Sequence, residues 1–315
     1  ALCERQYAEG ARRYRAVLDA LEQDPLAAGE QARTGIDAII TAMDTQGESA
    51  IRLLGDVQGE RGAQHAMNVT VLSLLLGRAM GLARPALQSL GVAALLHDIG
   101  KTRLPDIVRF KEDAFTPAQF KAYQEHVAHG VALGRAMGLD ATALLAIAQH
   151  HEAADGSGFP RGCAGSEMGV AAHILALVNR YDGLCNPLNP VRALTPHEAL
   201  ARLFATQKAR FDPPTLSAFI RMLGVYPPGS IVQLSDGRYA QVHAVNAARP
   251  LKPRVPRSEA LLLDLQATPD LSIQRSLRAD QLPRAALDYL EPRPRYCYFF
   301  ERALRVDDAT RGDGP

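Results

Sequence analysis

The chain has no tryptophan, only four cysteines in 315 residues, and a formal net charge of +1. Each scarcity closes off a class of function. Cys3, Cys163, Cys185 and Cys297 show no CxxC spacing. Neither a disulfide framework nor a cysteine-built zinc site is expected, and a reducing, cytoplasmic setting fits best. The 35 basic and 34 acidic residues argue against a nucleic-acid polymer or a charged membrane surface as partner. They leave room for a local basic patch around a small phosphorylated ligand. No apolar run reaches the length of a membrane span, and no secretory signal is visible. The chain opens on Ala1 rather than methionine, which leaves room for residues upstream. With 47% hydrophobic residues, it can build a sizeable core and two or three domains.

The periodicity predicts a mainly α protein in three parts. Residues 1–60 carry Ala, Leu, Arg and Glu at helical spacing, broken by Asp24-Pro25 and Gly47, and hold no chemical motif. Residues 61–223 continue as helices. One opens near His65 and ends near Gly81, and the nearly all-apolar run Leu90–Leu96 is a buried helix ending at His97-Asp98. Thr116-Pro117 starts the helix that carries His126, and Ala141 begins the one that ends at the pair His150-His151. Val170 to Tyr181 leads to Asp182, and Thr195 with Glu198 has the spacing of a capping box. The character changes at Gly224. Residues 224–315 read as a small β-rich domain, a compact barrel. It begins with the hairpin Ser230–Val245 around Ser235-Asp236-Gly237 and adds strands at Leu261–Leu265 and Leu271–Leu277. Arg249–Arg257 reads as a solvated loop and Asp307–Pro315 as a frayed end.

The chemistry concentrates in the helical middle. His65, His97-Asp98, His126, His150-His151 and Asp182 are five histidines and two aspartates along one helical region. Imidazole with carboxylate suits iron, manganese or zinc rather than calcium or magnesium. A single histidine means little, but a dyad at the end of a buried helix must satisfy its polar atoms. One carboxylate can also bridge two metals. Gly130, on the face of His126 and Tyr123, permits a close approach there.

HDIGK at 97–101, Leu104-Pro105-Asp106, His126 with Gly130, and HHEAADGSGFPRG at 150–162 together resemble the HD-GYP family. These are cyclic di-GMP phosphodiesterases of the HD phosphohydrolase superfamily. The resemblance covers residues 60–223 and implies an HD-type helical bundle with a multinuclear metal centre. Carried over, one metal takes His65, His97 and Asp182, the other takes His126, His150 and His151, and Asp98 bridges them. The glutamate that supports a third metal in some members is replaced by Arg61. Two divalent ions, iron or manganese, are therefore expected. Two cations can activate a water near neutral pH and bind phosphate oxygens. The same likeness makes Asp98 and Lys101 catalytic, with Lys101 also on the substrate phosphate. Gly158, Phe159, Pro160 and Arg192 complete the substrate-binding set.

Two departures stand out. Phe159 replaces the usual tyrosine, keeping the ring for stacking while losing the hydroxyl. The RPYR-like basic segment after the late aspartate is Asn186-Pro187-Leu188-Asn189-Pro190-Val191-Arg192 here, with only Arg192 basic. The implied activity is bacterial second-messenger hydrolysis, cyclic di-GMP to pGpG and on to GMP. The competing reading is a catalytically weak cyclic di-GMP receptor or cyclase-interaction module. Cyclic di-GMP is the implied ligand. GGDEF-domain proteins and a second copy of the chain are the candidate protein partners. His129, His173, His197 and His243 match no ligand position.

Overall fold

The computed structural model describes residues 2–46, 49–54, 61–111, 114–245, 254–258, 261–264, 270–292 and 295–302. Two amphipathic helices come first. α1 (Leu2–Ala20) buries Cys3, Tyr7, Tyr14 and Val17 at three- to four-residue spacing. α2 (Pro25–Gln46) starts where the Asp24 carboxylate accepts from Ala27 N at 3.0 Å, with Pro25 at the first helical position. It buries Ala28, Ala32, Ile36, Ile40 and Met43. The stretch read as helical to residue 60 then departs from that expectation, because Ser49–Leu53 is strand β1. Its residues alternate weakly, and strands contributed by the far end of the chain supply the pairing.

The centre is α3 (Arg61–Ala79), buried from Ala63 through Gly77 except at His65. Packed against it are α4 (Arg84–Leu96), α8 (Val170–Cys185) and α10 (Pro213–Leu223), with α7 (Ala141–Gln149) on α4, α6 (Pro117–Ala136) on α7 and α9 (Pro196–Thr206) on α8. A 3-10 turn (Ile99–Arg103) and the short α5 (Asp106–Arg109) link α4 to α6. The sequence signals locate most starts. Thr116 caps α6 with Gln119 as its reciprocal partner, and Thr195 caps α9 with Glu198. Asp140 caps α7 by accepting from Ala143 N. The buried helix expected at Leu90–Leu96 is longer, because Pro85 lets it start at Arg84.

Beyond Gly224 the chain makes antiparallel sheet. β2 (Ile231–Leu234) and β3 (Tyr239–Gln241) form the expected hairpin, joined by β7 (Ile273–Leu277) in the order β3-β2-β7. The second sheet runs β6-β5-β4-β1-β8, with β4 (Ala244–Val245), β5 (Arg254–Ser258), β6 (Leu261–Asp264) and β8 (Tyr298–Arg302). Arg254–Ser258, expected in a loop, is thus a strand paired on both sides. The expected barrel is two sheets among the described residues. Helix α11 (Arg284–Leu290) lies beside the smaller one. Arg249–Pro253, Leu265 and Asp307–Pro315, read above as loop, strand and frayed end, lie outside the described residues. β1 sits between β4 and β8, with Ile51 opposite both Val245 and Phe300. Cys297 to Phe300 consequently join the same core as Tyr7, Ile36, Leu72, Tyr181 and Phe219. Among the described residues, no helix is long and apolar enough to cross a membrane.

Candidate metal centre

Four helices converge at one place, three of them near an end. His65 is in the second turn of α3, His97 closes α4, His126 faces inward from α6, and His150-His151 follow α7. His97, His126, His150 and Asp182 are fully or almost fully buried. A glycine allows the convergence. A Cβ on Gly100 would lie 1.9 Å from the main-chain oxygen of His126 and 2.4 Å from Gly130 N. Only a residue without a side chain lets the HDIG turn press against α6 and bring Asp98 beside His126.

Ligand atoms gather in two groups that share Asp98, one of His65, His97 and Asp98, the other of Asp98, His126, His150 and His151. Asp98 Oδ2 is 3.6 Å from His65 Nε2 and 3.4 Å from His97 Nε2. Its Oδ1 is 3.6 Å from His126 Nε2 and 3.7 Å from His150 Nε2. Six of the seven expected ligand residues therefore converge. The seventh, Asp182, lies on the outer side of His65, whose Nδ1–H donates to Asp182 Oδ2 at 2.6 Å.

The hydrogen bonds settle which ring nitrogens face inward. His97, His126 and His150 donate Nδ1–H to the carbonyls of Ala94, Tyr123 and Ile147, each three residues back. A carbonyl only accepts, so Nδ1 carries the proton and Nε2 presents a lone pair to the centre. Burial pushes His126 down to about 3 and His151 well below its ordinary value. Burial also lowers His97, against the pull of Asp98. His65 is the exception. Burial opposes its charge, but Asp182 on Nδ1 and the nearby Asp98 outweigh that and raise its pKa.

Two lone pairs face each other in each half. His65 Nε2 and His97 Nε2 are 3.1 Å apart, and His126 Nε2 and His150 Nε2 are 3.2 Å apart. A proton on His65 can relieve the first pair. Asp98 Oδ1 and His151 Nε2 are also buried without a hydrogen-bond partner. Orphaned acceptors that converge at this spacing fit a cation, since a cation satisfies all of them together.

Lys101 lies one turn past Asp98 and donates from Nζ to Asp98 Oδ2 at 2.6 Å. Burial works against its charge, yet Asp98 raises its pKa well above the ordinary value. Burial likewise opposes the Asp98 charge, but Lys101 and His97 hold that carboxyl well below its usual range. Nζ also sits 5.2 Å from the ring centroid of Tyr123. Phe159 stacks on His151 with centroids 4.4 Å apart and meets Phe120 edge-on at 5.5 Å, so an aromatic wall runs outward from the centre. Gly158 is half-buried and Pro160 exposed. A Cβ on Gly158 would lie 2.4 Å from Ala153 N, so the loop folds back on its own start. Arg192 is exposed at the end of a single 3-10 turn, Pro190–Arg192. His173 and His197 bond the carbonyls of Gly165 and Val225, outside the centre.

Three contributors were not singled out from the sequence. Buried Glu152 accepts from Arg161 N at 2.7 Å and Cys163 N at 3.2 Å, which ties the loop after the histidine pair. Asn68 and Asn186 both donate to Asp182 Oδ1, at 2.8 and 2.9 Å. The available signal was spacing. Asn68 is an amide set into the apolar run of α3 three residues after His65, and Asn186 is four after Asp182.

A family model described as HD domain matches residues 48–215, just over half the chain. Over 196 residues the chain is 32% identical to a cyclic di-GMP phosphodiesterase of Pseudomonas aeruginosa, covering 61% of this chain and 46% of that one. Over 173 residues it is 29% identical to a 3'3'-cGAMP-specific phosphodiesterase of Vibrio cholerae, covering 55% and 37%. The chain spans less than half the length of these two relatives. An HDG"Y"P protein from Bdellovibrio bacteriovorus has the same fold, with a TM-score of 0.52, 19% identity, and coverage of 68% of this chain and 69% of that one.

Proposed function

The chain belongs to the HD domain family, in its HD-GYP branch, and from that premise we propose that it is a metal-dependent phosphodiesterase opening cyclic di-GMP to linear pGpG. The observation that carries the reading is the pair of half-sites joined through Asp98, one with two imidazoles and the other with three, each with one carboxylate oxygen.

The half-sites fit two divalent transition-metal ions, iron or manganese, with His65 and His97 in one and His126, His150 and His151 in the other. Asp98 serves both. Asp182 joins through His65, since its bond to Nδ1 leaves Nε2 free as a ligand. When bound, such ions supply positive charge to phosphate oxygens and acidify water. The remaining work falls to side chains. Lys101 places an ammonium beside the shared carboxylate, where a phosphodiester oxygen can accept from it. Phe159 presents an apolar ring for a purine face. Gly158 and Pro160 shape the loop that carries it, and Arg192 is the single basic residue left to meet the second phosphate.

A second reading draws on the segment Asn186–Arg192. Asn186 there is engaged by Asp182 and Tyr296, and the one basic side chain is exposed. Such a site favours a receptor that holds cyclic di-GMP with slow turnover.

The test is hydrolysis by protein purified without oxygen, loaded with iron or manganese and assayed for metal per chain, beside the Asp98→Asn variant. Two metals with steady release of pGpG, lost in the variant, supports the enzyme. Two metals with tight binding and no product supports the receptor. Faster turnover of 3'3'-cGAMP than of cyclic di-GMP would move the substrate assignment.

A further inference from the structure

We propose that Asn68 and Asn186 are positioning residues of the metal centre, and that the segment Tyr296–Tyr298 is a built-in part of its outer layer. This rests on the metal reading above.

The two amides act as a matched clamp. The Nδ2 of Asn68 donates to Asp182 Oδ1 at 2.8 Å and to Tyr296 O at 2.8 Å. The Nδ2 of Asn186 donates to the same two oxygens, at 2.9 and 3.0 Å. Each amide oxygen is used as well, because Tyr298 N donates to Asn68 Oδ1 at 3.0 Å and Tyr296 N to Asn186 Oδ1 at 2.9 Å. Every hydrogen and oxygen of the two amides therefore spans from the aspartate to the C-terminal segment. Asn68 and Asp182 are fully buried, where an amide left unpaired costs about 1–3 kcal/mol.

The clamp holds Asp182 in one orientation. Its Oδ1 takes the two amides and its Oδ2 takes His65 Nδ1–H. The rotation of the carboxylate sets the plane of the His65 ring and the aim of Nε2, which faces His97 and Asp98. Partners of this kind typically change metal affinity about 10- to 100-fold. Among the described residues, no such link reaches the half-site of His126, His150 and His151. Its Nδ1 donors bond carbonyls of their own helices. The C-terminal segment reaches α3 and α8 through β8, which pairs with β1 immediately before α3. Its docking and the order of the first half-site are thus one event.

Manganese titration of the chain by calorimetry, with metal counted per chain, tests this. The variants are Asn186→Ala, Asn68→Ala and, as a control, Gln64→Ala. Gln64 donates to Tyr296 O and the Cys297 sulfur but not to Asp182. The expected result is one manganese retained and the other weakened about 10- to 100-fold in either asparagine variant, with both kept in Gln64→Ala. Asn186 is only half-buried, so its variant folds even if Asn68→Ala does not. A lowered melting temperature with unchanged manganese affinity overturns the proposal, as does equal loss in all three variants. Absence of hydrolysis in the unaltered chain with both metals bound would sink the proposed reaction and leave this inference standing.

Discussion

Gly100 and the main-chain oxygen of His126 meet so closely that a Cβ on the glycine would fall 1.9 Å from that oxygen. The HDIG turn and α6 are joined there backbone to backbone, and Asp98 reaches both half-sites because of it. Gly100→Ala must push α6 away, since neither the carbonyl nor Gly130 N can yield. We expect about 1–3 kcal/mol of destabilisation and loss of metal from the half that contains His126. A Cβ on Gly130 comes no nearer than 3.3 Å to a neighbour, the Ile147 Cγ2 methyl, so Gly130→Ala should be much milder. Melting temperature and metal content of the two variants decide it, and equal effects would contradict the contact.

Glu152 is buried, and both its oxygens accept from the loop that carries Phe159. Glu152→Ala strands two main-chain N–H groups and should cost about 1–3 kcal/mol. Amide exchange within 155–163 should rise while the metals stay bound. KM should increase more than kcat falls. Unchanged exchange in that loop would remove Glu152 from this role.

Lys101→Met separates charge from packing. Without metal, the Asp98 carboxylate loses its ammonium partner, so the metal-free protein should melt lower. Added manganese should restore more stability in the variant than in the unaltered chain, because Nζ no longer competes for Oδ2. Loss of one charge-assisted contact to phosphate predicts a fall of about tenfold to hundredfold in kcat/KM. Full activity would exclude Lys101 from substrate binding.

Acid should destabilise the metal-free protein through His126. Burial pushes that histidine down to about 3, against about 6.5 in an unfolded chain. Between those values the unfolded state holds a proton that the folded state refuses. Stability is therefore present above the unfolded value and falls by about 1.4 kcal/mol for each pH unit below it. His97 and His151 shift in the same direction. His65 shifts the opposite way and contributes stability that is lost as pH rises through its folded value. Melting curves from pH 7 to 5 should show the loss, and His126→Leu should flatten it. A flat profile in the unaltered protein would mean that His126 is not held neutral by burial.

The sequence determined the parts list and the local geometry around each part. Apolar spacing located α3, α4, α7 and α8, and the caps at Thr116 and Thr195 marked helix starts, because hydrogen bonds among neighbours decide both. The histidine–aspartate motifs, read through the family resemblance they carry, named the side chains that converge. Only the tertiary structure decided what joins these parts. β1 was invisible because a short strand is stabilised by its pairing partners, and these come from residues near 245 and 300. The same long-range packing brought Tyr296 to Asn68 and Asn186, and it placed Asp182 on the outer nitrogen of His65. No local pattern encodes a contact between residues about 230 apart. Such contacts follow from burying the two faces against one core, where every buried amide must find a partner.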